Sequence, residues 1–232
     1  PKLFRRVSTW KINQMAKMRY MTGGQVKVPM VIRTQGGGGR GNAAQHSQSP
    51  DAMFAHVPGL KLVMPSNPAD AKGLLKSAIR DDNPVMVFEH KLLYFTKGEV
   101  PDGDIAIPIG KANLVRTGKH VTIAALSRSV TFAVEAADKL AADGIYAEVI
   151  DIRSVRPLDL ETIVRSLKKT NRIVLVHEDV QFGSIISEIS ATLQEEAFNY
   201  LDAPITRVGG ADSPLAAALP LGFGVYCYIT RS

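Results

Sequence analysis

Apolar positions in this chain alternate between short solid runs and longer stretches spaced three and four residues apart. Trp10–Met21 carries Ile12, Met15, Ala16 and Arg19 on one helical face, and Gly23-Gly24 supplies a stop. Val28–Thr34 is a compact apolar run suited to a buried strand, with Pro29 near its start, where a missing N–H is tolerated. Lys61–Met64 reads as a second short strand. Asn67 then offers an N-cap, Pro68 a first helical residue, and Asp70 a carboxylate in the first turn. Ala71, Leu74, Leu75, Ala78 and Ile79 follow as the stripe of a core-facing helix. Asp81-Asp82-Asn83-Pro84 breaks it, and Val85–Phe88 is the next strand.

Residues 97–108 lose this periodicity and hold Gly98, Pro101, Gly103 and Pro108 among charges, the composition of a linker. Alternation then restarts. Strands are predicted at Val121–Leu126, Ala147–Ile150, Arg172–His177 and Ile205–Val208. A helix carries Val130, Ala133, Ala136, Ala137, Leu140 and Ala141 on one face and stops at Gly144. A second is capped by Asp159 and runs to about Lys169. A third is capped by Ser184 and carries Ile186, Ile189 and Leu193. Strand–helix–strand spacing of this kind predicts α/β architecture, in two units joined near residue 104.

Charge sharpens the picture at one end only. The 232 residues carry a net +6, yet residues 1–40 hold nine Lys/Arg and no Asp or Glu, while residues 101–232 hold 13 basic and 16 acidic residues. A nucleic-acid-binding reading needs a basic groove interleaved with aromatics, and residues 1–40 offer only Phe4, Trp10 and Tyr20. No apolar run approaches the ~18 residues of a membrane-spanning helix, so neither nucleic acid nor membrane is an expected partner. Cys227 is the single cysteine, which excludes a disulfide scaffold, and the scattered histidines argue against a zinc cluster.

The most conspicuous candidate site is Thr34-Gln35-Gly36-Gly37-Gly38-Gly39-Arg40-Gly41-Asn42. Each glycine costs about 0.5–1 kcal/mol of conformational entropy against alanine, so bare backbone is needed there. Gly36, Gly38 and Gly41 formally match a dinucleotide fingerprint, but no helix opens at Gly41 and no acidic residue ends a strand about 20 positions on. A loop pressed against a cofactor or a subunit fits better. His46, in Gln45-His46-Ser47-Gln48, has polar neighbours able to fix its tautomer and is a candidate for catalysis or substrate contact, against the alternative of a plain surface histidine. The turn at 78–83 is either a cation nest of helix-end carbonyls with Asp and Asn oxygens or an ordinary Asp/Asn turn. In the second unit, Asp151–Asp159 and His177-Glu178-Asp179 lie at strand ends, where open α/β sheets bind ligands, although solvated loops are the default there.

Six ordered segments carry a resemblance: Asn13–Met21, the Gly-rich loop, Gln45–Gln48, Pro58-Gly59-Leu60, Ile79–Val85 and Glu89–Tyr94. From about Asn13 to Pro214 the chain resembles the beta subunit of the thiamine-diphosphate-dependent decarboxylase component of 2-oxo acid dehydrogenase complexes, most closely the pyruvate type. The resemblance implies a partial transketolase-like pyrimidine-binding domain over residues 1–103 and a transketolase C-terminal-like α/β domain over 104–232. It implies an α2β2 heterotetramer in which the alpha subunit holds Mg2+ and the cofactor's diphosphate. The acyl product passes to a lipoyl-bearing dihydrolipoyl acyltransferase core. His46 takes the position of the family's catalytic histidine, and Asp81 and Asn83, with carbonyls of Met30, Ala78 and Ile79, take those of a structural potassium site.

The residues before Asn13 and after about Leu215 do not follow the family. The glutamate that activates the aminopyrimidine is expected in a missing N-terminal portion, which makes this chain an inactive fragment by itself. Alternatives are a branched-chain or acetoin dehydrogenase beta subunit, or a non-catalytic assembly piece. The compartment follows the source: cytoplasm in bacteria, mitochondrial matrix or plastid in eukaryotes.

Overall fold

In a computed structural model, residues 9–214 are described, so the divergent tail from Leu215 and the segment before Thr9 lie outside the described residues. Two sheets organise the chain. The first combines β1 (Val31–Gly36), β2 (Lys61–Val63), β3 (Val85–His90) and β7 (Ser154–Arg156) in the order β1-β3-β2-β7. The second combines β4 (Asn113–Arg116), β5 (Val121–Ala125), β6 (Ala147–Asp151), β8 (Ile173–Val180) and β9 (Thr206–Gly210) in the order β4-β6-β5-β8-β9. All neighbours are parallel except the edge strands β4 and β7, which pair antiparallel. Helices α1 (Thr9–Met21), α2 (Asp51–Ala55), α3 (Pro68–Ile79), α4 (Ser129–Ala142), α5 (Leu160–Thr170) and α6 (Ile185–Ala197) connect and cover them.

Local chemistry explains most element ends. Asn67 caps α3 by accepting from the Asp70 amide at 2.8 Å, and Asp159 caps α5 through the Thr162 amide at 3.3 Å. Ser184 occupies the N-cap of α6, but its hydroxyl donates to the Gln181 carbonyl at 3.3 Å and makes no side-chain cap bond. β1 begins at Val31 and not at Val28, because pairing with β3 starts at Val31↔Val85 while the Val28 amide is held by the Asp82 carbonyl at 2.9 Å. β8 runs past His177 to Val180, so His177-Glu178-Asp179 sits on a strand and not on a solvated loop.

The stripe predicted for α3 is correct at Leu74 and Ala78, which are fully buried, and wrong at Ile79, which is 62% exposed at the helix end. Gly73 shares the buried face. A Cβ there would lie 2.5 Å from Ile107 Cγ1, so the segment read as a linker is laid down against this helix. Ser77 Oγ donates to the Ile107 carbonyl at 2.5 Å, and Lys76 and Arg80 both pair with Asp104.

The segment Asp151–Asp159, read as a strand-to-helix link, contains β7, which leaves the second unit to pair with β2 at Leu62↔Arg156. One apolar cluster likewise spans both units, joining Leu62, Met86 and Phe88 to Ile150, Ile152, Leu175 and Ile186. Arg153, in the turn before β7, reaches back to Asp70 at 2.8 Å, in a pair that is nearly dry. Gly73→Val is expected to lift residues 104–109 off α3 and destabilise the fold by about 1–3 kcal/mol. Ile107→Ala should relieve much of that loss, both read by denaturant unfolding.

Candidate functional site

The ends of β1 and β3 meet in register, Gly36 beside His90. Directly after, Gly37 turns with φ +87°, and a Cβ on it would fall 2.1 Å from His90 Nε2. Glycine is required there on both counts. The Gly37 amide donates to the Gln48 carbonyl at 2.9 Å, folding the Gly-rich loop back on itself. The next amide, Gly38, donates at 2.8 Å to Glu178 Oε1 of β8.

Glu178 holds more than the loop. Its other oxygen contacts His90 Nε2 in a pair that is almost wholly buried. His90 Nδ1 accepts from the Leu92 amide at 3.2 Å, which assigns the ring proton to Nε2 and makes it the donor to Glu178. One carboxylate thus joins the second sheet to the loop and to the end of β3. Its position has a topological reason. From β5 the chain turns to β6 on one side, and from β8 to β9 on the other, so their carboxyl ends flank the crevice where open sheets receive ligands. Here the crevice residues Leu126, Ser127, His177 and Glu178 face Gly36, Gly37 and His90 of the first sheet.

His46 lies on the exposed side of this loop. It ends a one-turn 3-10 helix, Ala44–His46, that follows Ala43 at φ +62° and is tied by Ser47 Oγ donating to the Ala43 carbonyl at 2.9 Å. The imidazole is exposed and faces an open cleft of about 490 Å3 shared with Arg33, Gln48, Glu89, Lys91 and Tyr94. Within that cleft Glu89 is fixed by Arg33 at 2.8 and 3.0 Å and by the Tyr94 hydroxyl at 2.6 Å. Burial, reinforced by Glu89, pushes the Tyr94 hydroxyl up to about 12, so it remains a donor at neutral pH. Burial, and then Arg40, hold the Lys91 ammonium below its ordinary value.

Of the predicted cation residues, Asp81 and Asn83 follow the end of α3, and Met30 stands just before β1. The Met30 carbonyl accepts from Val85 at 2.9 Å, and the Ala78 carbonyl accepts from Asp81 at 3.3 Å. Asp81 Oδ1 accepts from the Asn83 amide and side chain at 2.9 and 2.8 Å, while Oδ2 pairs with Lys61. Asn83 Oδ1 accepts from Arg19 at 3.3 Å. Partial burial pushes the Asp81 carboxyl up, but Lys61 and Asn83 outweigh it and hold it below the ordinary 3.8. Ile79, the last residue of α3, is 62% exposed. Asp151 is buried against Ser66 and the Arg153 amide, that burial pushes its carboxyl up, and it braces the β6–β7 turn.

Sequence reasoning singled out His46 and the turn at 78–83 as candidates, and it missed the Glu178–His90 clamp, the Glu89 triad and Asp51. Polar residues closing a solid apolar run, as Glu89-His90 close β3 and His177-Glu178 close the core of β8, were the available signal.

Residues 4–97 match the transketolase pyrimidine-binding domain and residues 110–221 the transketolase C-terminal domain. The chain belongs to the transketolase family. Among curated relatives, this transketolase-family chain is 48% identical over 210 residues to the 2-oxoisovalerate dehydrogenase subunit beta of Bacillus subtilis, covering 90% of the chain and 64% of that protein. It is 50% identical over 214 residues to the rice mitochondrial pyruvate dehydrogenase E1 component subunit beta-2, covering 90% and 57%. It is also 50% identical over 233 residues to the mitochondrial pyruvate dehydrogenase E1 beta subunit of Caenorhabditis elegans, covering 95% and 66%. The chain therefore spans between half and two-thirds of these relatives' length. A solved split-gene transketolase, described as an inactive beta4 tetramer, superposes with a TM-score of 0.70 at 26% identity, covering 95% of this chain and 73% of that one.

Glu178→Ala is expected to free the Gly-rich loop. Amide exchange at Gly37–Gly39 should rise at least tenfold, and unfolding free energy should fall by about 3 kcal/mol. The Asp81 pair makes an acid-limb prediction. Its folded value is depressed, so its stabilisation is complete above pH 3.8 and is lost as pH falls through the folded value. Lys61→Met should flatten that limb in acid unfolding.

Proposed function

We propose that this chain is the beta-subunit portion of a thiamine-diphosphate-dependent 2-oxo acid dehydrogenase acting on pyruvate. One observation carries the reading: His46 stands exposed on the cleft beside the clamped Gly-rich loop, in a chain about half identical to pyruvate dehydrogenase E1 beta subunits. The cofactor, when bound, supplies the carbanion chemistry that releases CO2 from a 2-oxo acid. This chain's residues do the rest. The glycine backbone forms a side-chain-free wall held still by Glu178 and Gln48, so a flat ring could approach closely. His46 offers a ring nitrogen able to donate or accept a proton near neutral pH, at the place where a substrate or a lipoyl thiol would arrive.

Glu89 is the glutamate of this cleft, and Arg33 and Tyr94 already engage its carboxylate. The acid that activates the aminopyrimidine is therefore assigned to a residue outside the cleft lining. The diphosphate and its Mg2+ are assigned to an alpha subunit in an α2β2 assembly, and the acyl acceptor to a lipoyl-bearing acyltransferase core. Exposed apolar side chains available for such contacts include Tyr20, 89% accessible, and Phe182, 86% accessible. Potassium would sit on the carbonyls of Met30, Ala78 and Ile79 with Asp81 and Asn83. Because Lys61 already neutralises the Asp81 carboxylate, the ion would rely on neutral oxygens, which suits a weakly hydrated monovalent cation. The similarity to the Bacillus 2-oxoisovalerate enzyme favours a second reading, a branched-chain substrate.

Co-expression with a cognate alpha subunit, followed by thiamine-diphosphate-dependent CO2 release from pyruvate and from 2-oxoisovalerate, tests the proposal. The chain alone is expected to release none and to co-purify with the alpha subunit, and failure to form that complex would sink the reading. Faster turnover of 2-oxoisovalerate would select the second reading. His46→Ala in the complex should slow lipoyl acylation by about 10²–10⁴-fold.

A further inference from the structure

Behind the loop that carries His46, a second cluster is independent of the proposed function. Asp51, the first residue of α2, is fully buried, and neither carboxylate oxygen has a hydrogen-bond partner among the described residues. Its Oδ2 stands 3.6 Å from Nε2 of His177, itself buried in β8. Asp179, two residues along the same strand, completes a group whose ligand atoms all lie within 4.8 Å of one another.

The spacing decides between two uses of this cluster. At 3.6 Å the Asp51–His177 contact is too long for a hydrogen bond. Ligand atoms bound at about 2.0–2.2 Å to a tetrahedral ion stand about 3.4 Å apart along each edge. The gap is therefore close to that between two ligands of one metal. An unpaired carboxylate in a dry interior is strongly unfavourable, and a bound cation removes that penalty.

We propose that Asp51, His177 and Asp179 form a site for a divalent transition ion of the zinc class, with one imidazole and two carboxylate ligands. One nitrogen with two oxygens suits zinc better than magnesium or calcium, which take six or more oxygen ligands. Asp179 is half-buried and opens onto a separate cleft of about 480 Å3 lined by Ser47, Gln48 and Phe182, so a water completes the fourth position and the ion has an entry path. Coordination through Nε2 requires the His177 ring proton on Nδ1, which releases the 3.3 Å contact in which Nδ1 accepts from the Asp179 amide. The ion would tie α2, five residues beyond His46, to β8, and so brace the loop from the side opposite Glu178.

The test uses the whole chain, stripped with chelator and titrated with Zn2+, and with Co2+ as a spectroscopic probe. One Zn2+ per chain, the visible absorption of four-coordinate Co2+, and a rise in Tm of roughly 5 °C at free zinc a hundredfold above Kd are expected. Asp51→Asn and His177→Gln should each weaken binding at least a hundredfold. Asp179→Asn, at the cleft edge where folding is least at stake, should weaken it at least tenfold. Absence of binding by the unaltered chain overturns the site. So does undiminished binding in the folded Asp51→Asn or Asp179→Asn variant, which would place the ion on exposed histidines such as His46 or His56.

Discussion

The structure depends on one carboxylate, Glu178, placed where two sheets face each other. Its oxygens accept from the Gly38 amide of one connection and from the His90 ring at the end of a neighbouring strand. Charge-assisted bonds in a nearly dry setting are worth more than neutral ones, about 1.5–3 kcal/mol each. Without them the loop of four glycines would have little reason to hold a single shape. Glycine lets the chain turn over His90, and Glu178 then removes the freedom that glycine introduced. The exposed position of His46 is a consequence, because the turn bearing it is the return path of a loop already pinned at Gly37 and Gly38.

The same arrangement shows why the two α/β units act as one body. β7 leaves the second unit to extend the first sheet, Arg153 pairs with Asp70 beside it, and one apolar cluster runs across both units. Leu62 and Met86 on one side and Ile150 and Leu175 on the other are fully buried in that shared cluster. A site built across that boundary gains rigidity from both sheets, which loops on a single unit would not supply.

Much of this was legible in the order of residues. The caps at Asn67 and Asp159, the stops at Gly23-Gly24 and Gly144, and nearly every strand follow from local chemistry and period. The Gly-rich loop and His46 announced themselves by composition. What stayed hidden is long-range. Gly73 sits on a buried face because Ile107, 34 positions on, covers it. Edge strands β4 and β7 are three or four residues long, half polar, and exist only because a partner edge is free to take them. Glu178, His90 and Asp51 become a cluster only when β8 is laid beside β3 and α2, and sequence spacing carries no record of that approach. Ile79 failed for the opposite reason: its period was right, but the helix ends there and the neighbouring chain turns away.

The buried charges argue for a division of labour around the His46 loop. On one side each Glu178 oxygen has a partner, an amide on one and an imidazole proton on the other. On the other, Asp51 has no hydrogen-bond partner, although His177 and Asp179 stand within reach of a common ion. A fold that satisfied both carboxylates internally would fix the loop permanently. Leaving one of them open makes the stiffness of the loop depend on whether a cation is present, while the Glu178 clamp preserves the fold when it is not. The difference between the two carboxylates lies in their neighbours: Glu178 faces a glycine amide that the loop can bring to it, whereas Asp51 faces the imidazole of β8 across 3.6 Å, too long for a hydrogen bond and close to the spacing of two ligands on one ion.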